Sequence, residues 1–154
     1  MADEPDIPAF AGLVEALRAD KTRFVLVGMA GAMVQGVPGS TIDVDLWIDL
    51  PTRQYMRPMN AAVGVGGEMI RNTVVVLPGD LTLNFIFDIN GLRSFETEYK
   101  KVKRLNFMGK RIPVLPLERI RASKKAVGRP KDVAHILLID QTLACKRHIK
   151  RKKR

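Results

Sequence analysis

At 154 residues the chain has the length of one domain with a real core, and no apolar run approaches the roughly 18 residues needed to cross a bilayer. The start, Met1 to Pro8, is acidic and proline-bearing and carries no signal pattern. The single cysteine, Cys145, excludes an internal disulfide, and His135 and His148 lack partners at metal-site spacing, so a reducing, cytoplasmic setting is expected. The net charge of +10 is unevenly spread: Lys146, Arg147, Lys150, Arg151, Lys152, Lys153 and Arg154 supply seven of the 26 basic residues, and the other 19 exceed the 16 acids by only 3. Residues 1–144 therefore read as one mildly basic globular domain. Residues 145–154 read as a basic C-terminal tail, either touching phosphates such as those of RNA or simply solvated.

Phe10, Leu13, Val14 and Leu17 recur at helical spacing after Asp6 and Pro8, which predicts a first helix to about Ala19. Arg23 to Val27 is a short β-branched run stopping at Gly28, hence a buried strand entering a glycine turn. Ala30 to Gln35 allows one or two helical turns, cut off by Gly36-Val37-Pro38-Gly39. Thr41 to Asp49 then alternates, with Ile42, Val44, Leu46 and Ile48 on one face and Asp43, Asp45, Trp47 and Asp49 on the other. A helix follows Pro51 and Thr52, kinked or restarted at Pro58, before a loop at Gly64, Gly66 and Gly67. Val74 to Leu77 and Leu81 to Ile89 flank Pro78-Gly79-Asp80 as a hairpin, and a second hairpin is expected from Val102 to Val114 around Met108-Gly109. Pro116 opens a helix through Lys125; after Gly128-Arg129-Pro130, the residues Val133, Ile136, Leu137 and Leu143 mark a last amphipathic helix.

The acidic strand carries the chemistry. Residues two apart on a strand share a face about 7 Å apart, so Asp43 and Asp45 place two carboxylates side by side. Their repulsion is relieved by a hard divalent cation such as Mg2+, which favours a few oxygens plus substrate phosphates. Upstream, a glycine turn at a helix start leaves amides free for an anion. Lys124, Arg129 and Lys131 are candidate phosphate contacts, arginine as a fork and lysine as a point charge. The bland alternatives are a solvated strand face for the aspartates and helix-end solvation for the basic residues. Trp47 lines a pocket or packs. A dinucleotide-binding unit, with Asp49 as the ribose acid, lacks its third glycine and the room for a crossover helix.

Laid out this way, the chain resembles the minimal nucleotidyltransferases of the DNA polymerase beta-like superfamily, which include small bacterial proteins of toxin-antitoxin and abortive-infection type. The likeness lies in Phe24-Val25-Leu26-Val27-Gly28-Met29, in Gln35-Gly36-Val37-Pro38-Gly39-Ser40-Thr41, in Asp43-Val44-Asp45, and in Lys124-Lys125-Ala126-Val127-Gly128-Arg129-Pro130-Lys131-Asp132. It spans about Asp6 to Leu143. It implies an α/β nucleotidyltransferase-like fold, a mixed and mostly antiparallel sheet flanked by helices. It also implies Mg2+- or Mn2+-dependent transfer of a nucleoside monophosphate from an NTP to a hydroxyl of RNA, such as a tRNA end, or of a partner protein. Asp43 and Asp45 would be metal ligands, with Gly28, Met29, Ser40, Thr41, Lys124, Arg129 and Lys131 around the nucleotide. Three positions depart from the pattern. Met29 replaces the second small residue of the turn, Gly39 stands where many relatives have arginine, and Asn84 falls at the third carboxylate, with Asp88 as the fallback. Asparagine accepts no proton from an attacking hydroxyl, so the alternative is a catalytically degenerate protein that binds nucleotide, RNA or a partner protein without turnover.

Overall fold

The computed structural model describes residues 7–40 and 43–153. Helix α1 (Pro8–Ala19) buries Phe10, Leu13, Val14 and Leu17, the four residues whose spacing predicts it. Strand β1 (Phe24–Val27) is buried throughout and runs directly into α2 (Gly28–Met33), followed by β2 (Asp43–Ile48). A 3-10 turn (Thr52–Gln54) and α3 (Met56–Gly64) come next. Pro58 lies in the first turn of α3, where its missing N–H costs no helical bond, so the break falls ahead of it. Strands β3 (Glu68–Arg71), β4 (Val74–Leu77) and β5 (Leu81–Ile86) form a meander. A short helix α4 (Phe95–Tyr99), capped by Ser94, leads to the hairpin of β6 (Lys103–Phe107) and β7 (Lys110–Val114), and α5 (Leu117–Val127) and α6 (Pro130–Lys152) close the chain.

The seven strands form one open sheet in the order β3-β4-β5-β2-β1-β7-β6. Only the β1–β7 and β2–β5 pairs are parallel, giving the mixed, mostly antiparallel sheet expected, with β2 at its centre. Antiparallel pairing of β1 with β2 removes the dinucleotide-binding alternative, which needs a parallel pair, and Asp49 is ion-paired to Arg23 at 2.7 Å. Apolar residues cover both faces. One layer holds α1, α3 and the Val44, Leu46 and Ile48 face of β2; the other holds Val25, Val27 and Trp47 under Leu117, Ile120 and Ile139. Trp47 is a packing residue, edge-on to Phe95 with ring centroids 5.0 Å apart, its Nε1 donating to the Phe87 carbonyl at 3.3 Å.

Three features fall outside the sequence expectations. Strand β3 and helix α4 are additional elements. In α6 the buried stripe centres on Asp132 and Ile139, while Val133 and Leu137 are 61 % and 60 % exposed, because the helix touches the body along a line set by α5 rather than by its own most apolar face. The basic residues from Lys146 to Lys152 continue that helix and are exposed.

Candidate functional site

Strand β1 ends at Val27, and the chain turns into α2 through Gly28, whose φ of 66° is left-handed. A Cβ at this position would meet Asp45 Oδ2 at 2.5 Å, so glycine is required on two counts. Val27 pairs with Asp45, and Asp45 pairs in turn with Asn84 of β5, so sheet register sets turn, carboxylate and amide side by side across three strands. The Asn84 side chain lines the same cavity as Asp45 and helps to hold the Asp45 carboxyl down. Gly31 lets α2 lie close to the sheet: a Cβ there would stand 3.1 Å from the Leu26 carbonyl and 3.2 Å from Ile120 Cδ1. Buried Gln35 fixes the end of this segment, its Nε2 donating to the carbonyls of Gly31 and Leu115, both at 2.9 Å.

The opposite wall is the junction of α5 and α6. Gly128 ends α5 in the left-handed conformation, and α6 opens with the Asp132 carboxylate accepting from the Arg129 backbone N–H while the Arg129 carbonyl accepts from the Asp132 N–H. Asp132 is fully buried and accepts from the Arg129 backbone N–H at 3.1 Å and Nε at 2.8 Å. Lys124 Nζ stands 3.8 Å from Asp132 and 3.0 Å from His135 Nδ1. Lysine has only donors, so while Lys124 is charged that imidazole nitrogen is the acceptor.

Two adjoining cavities share Asp45, Ile86, Lys124 and Arg129. Met29, Asp43, Asn84, Lys131 and His135 complete one; Gly28, Asp88, Asn90 and Asp132 are among those completing the other. Every candidate from the two ends of the sequence thus meets in one cleft except Ser40, which is exposed and lines neither cavity, and Thr41, which lies outside the described residues. Asp88 arrives by a route the sequence does not show. The strand stops at Ile86, and the loop beyond it carries Asp88 to the cleft beside Gly28 and Asp45. Met29 reaches towards Gly39, where a Cβ would stand 3.6 Å from its Cε. His135 and Asp132 also line the cleft, although the sequence assigns neither a role of its own there. Their signal is weak: Asp132 follows Lys131 directly at the start of α6, and His135 lies one helical turn beyond Lys131.

Electrostatics divide the cleft. Burial pushes the Asp45 carboxyl above its ordinary value, and Asp43 adds to this; the Asn84 side chain, then Lys124 and Lys131, oppose it. Asp132 is held below the ordinary range, chiefly by the Arg129 side chain. Burial pushes Lys124 down against the pull of Asp132 and Asp45, and burial, then Lys124, pushes His135 down as well. Excess negative charge on the strand side, in hard oxygen donors, suits a divalent cation. Among the described residues no three His, Cys, Asp or Glu groups cluster.

This architecture matches the fold of solved nucleotidyltransferases. The solution structure of the antibiotic-resistance factor ANT(2'')-Ia matches it with a TM-score of 0.57 at 14 % identity, over 94 % of this chain and 90 % of that one. The lincosamide antibiotic adenylyltransferase LnuA, lincomycin-bound, matches with 0.55 at 11 % identity, over 91 % and 99 %. An antigenic nucleotidyltransferase-like protein from Paracoccidioides brasiliensis matches with 0.50 at 17 % identity, over 85 % and 74 %. No protein-family model and no curated protein matches the sequence. At these identities the likeness establishes the fold. No helix among the described residues is long and apolar enough to cross a membrane.

Proposed function

We propose that the protein transfers a nucleoside monophosphate from an NTP to a hydroxyl acceptor. The observation that carries this reading is the convergence of Gly28, Asp45, Lys124 and Arg129 on one cavity, from opposite ends of the sequence. Asp43 and Asp45 would hold Mg2+ or Mn2+, and the bound cation would neutralise the triphosphate and the departing pyrophosphate. Lys124, Arg129 and Lys131 bind phosphate oxygens from the helical wall, and the turn at Gly28, with Met29 behind it, bounds the nucleotide on the strand side. The acceptor oxygen bonds to the α-phosphorus as the bond to the β-phosphate oxygen breaks. Asp88 takes the acceptor's proton, since the Asn84 amide has no basic site. An RNA hydroxyl, guided by the exposed basic end of α6, is the favoured acceptor class; a partner protein's hydroxyl is the next.

One observation favours a second reading. Asn84 lies in register with Asp45 and sets a neutral amide where the resemblance implies a third carboxylate. A degenerate protein of this kind binds NTP and Mg2+ without turnover. Incubation with each labelled NTP, Mg2+ or Mn2+, and total RNA or cell extract separates the two. Transfer of label that Asp43→Asn abolishes supports the enzyme. Saturable NTP binding with no transfer under any condition supports the binding protein, and absence of both overturns the two together.

A further inference from the structure

The positive charge of the globular body is concentrated. Residues 100–111 hold Lys100, Lys101, Lys103, Arg104, Lys110 and Arg111 and no acid, whereas the rest of residues 1–144 carries 13 basic and 16 acidic side chains. That stretch enters and builds the β6–β7 hairpin. Arg104 pairs with Pro113 and Asn106 with Arg111, so these four side chains share one face, while Phe107, Ile112 and Val114 turn the other face to the core. Arg104, Asn106 and Arg111 are exposed. Beside them lies a cavity of about 270 Å³ whose wall includes Arg18, Lys21, Arg23, Tyr99, Arg104 and Pro113 and contains no acid. It sits at the Arg23 end of β1, roughly 15 Å along the chain from the turn at Gly28, and shares no lining residue with the two cavities of the cleft.

The fold positions these cations and leaves several of them uncompensated. Arg18 Nη2 donates to the Arg111 carbonyl at 2.6 Å, which ties α1 to the hairpin. Arg23 and Arg104 lie over the Tyr99 ring, 4.9 and 6.0 Å from its centroid, and Arg104 donates to the Tyr99 hydroxyl at 3.3 Å. Asp49 and Glu96 pair with Arg23, and Glu15 with Arg18 and Lys110. Lys21, Arg104 and Arg111 make no ion pair among the described residues. Unbalanced charge gathered on one face draws a polyanion. A protein partner or a lipid surface also wants apolar side chains at the centre of its contact, and none of the exposed large apolar residues among those described lies in residues 18–24 or 99–113. A phosphodiester chain needs only cations along its path, and arginine planes stack its unpaired bases. We infer that the β6–β7 face and the cavity beside Tyr99 bind single-stranded RNA, as a surface additional to the cleft and to the basic end of α6. The phosphate contacts stand whatever the cleft catalyses; only the choice of RNA over DNA rests on the acceptor proposed above.

Fluorescence anisotropy of a labelled single-stranded RNA of about 20 nucleotides, titrated with the full chain at physiological salt without NTP or metal, tests this apart from any turnover. The K21Q/R104Q/R111Q variant is expected to bind at least about tenfold more weakly, and its slope of log K against log salt should be shallower by about 2, from three single-strand contacts at roughly 0.7 each. The K150Q/R151Q/K152Q variant removes as much charge from the end of α6 and is expected to lose less than about threefold. All six positions are exposed, so the melts of both variants should coincide with wild type. A second readout uses the wild-type protein alone: 4-thiouridine placed in the same RNA should crosslink within residues 99–113. Absence of saturable RNA binding overturns the proposal, as do crosslinks confined to other segments or a loss in the α6 variant as large as in the hairpin variant. Tighter binding of single-stranded DNA of the same length, of oligoglutamate of equal charge or of phosphatidylserine vesicles overturns the assignment to RNA.

Discussion

The two walls of the cleft hold their acids in opposite ways. On the strand wall Asp45 is half-buried against Gly28 with a second carboxylate on its own strand, and its proton is held more tightly than usual. On the helical wall Asp132 is fully buried, but Arg129 and Lys124 surround it and its proton is lost more readily than usual. One acid is therefore a standing cost to the fold and the other a support. A binding surface for a cation must leave charge uncompensated, whereas a surface for phosphate needs its own anion to hold the basic side chains in place.

The largest effect expected is on the first of these. Asp45→Asn should lower nucleotidyl transfer on the order of 10³-fold while leaving the circular dichroism spectrum unchanged, since the amide fills the same space. Retention of more than a tenth of the wild-type rate would remove Asp45 from the reaction. Lys124→Met keeps the stem of the side chain and deletes the charge that bridges the two walls. A fall in kcat/KM of about 10- to 100-fold is expected, with apparent NTP affinity falling in parallel in a direct binding titration. An unchanged kcat/KM would assign Lys124 to structure alone.

Stability sharpens the contrast, because the two acid-to-amide changes should move it in opposite directions. Asp132→Asn removes the charge that Arg129 and Lys124 face and should cost about 2–3 kcal/mol, or a drop in Tm of roughly 5–10 °C for a chain of this size. Asp45→Asn should raise the Tm by a few degrees in metal-free buffer at neutral pH. The pH dependence follows from the signs. The Asp132 carboxyl is depressed on folding, so its contribution is present above its ordinary value of 3.8 and is lost as pH falls through the folded value. The Asp45 carboxyl is raised on folding, so its favourable contribution exists below 3.8 and is lost as pH rises through the folded value. Both variants should therefore converge on wild type as a melt series is taken below about pH 4. Melts that shift in the same direction at pH 7 would dismiss this account of the two walls.

The same contrast decides how much was legible in the sequence. Alternation along β2 and the glycine after β1 are local signals, and register carries them unchanged into three dimensions, so Gly28, Asp43, Asp45 and Asn84 fall where a strand-by-strand reading puts them. The helical wall is a tertiary construction. Asp132 and His135 matter because α6 docks on α5 along a stripe containing a buried acid, and the more apolar residues Val133 and Leu137, which periodicity selects for burial, remain outside. Asp88 was hidden for a related reason: apolar content continues to Ile89, but pairing stops at Ile86, and only the departure of the chain from the sheet brings the carboxylate to the cleft. Strand β3 lacks such a signal because four residues between Gly67 and the turn at Asn72, with neither face buried, leave no period to read.

The smallest expected effect falls on the residue that joins the two functions of the helical wall. Arg129 gives Asp132 both a backbone N–H and a side-chain fork, through Nε at 2.8 Å and Nη2 at 3.3 Å. Its side chain is 55 % exposed, so solvent screens the fork heavily, and Arg129→Lys keeps the backbone bond and a positive charge. The loss of stability should stay below about 1 kcal/mol, far less than for Asp132→Asn. If the guanidinium also binds the nucleotide's phosphates before and during transfer alike, KM for NTP should rise about three- to tenfold with kcat retained, because a contact made equally in both states is uniform binding. A fall in kcat at constant KM would instead mean that the arginine engages only the charge that develops on the departing pyrophosphate. That outcome would move Arg129 from a holding role to a catalytic one and leave Lys124 and Lys131 as the ground-state phosphate contacts.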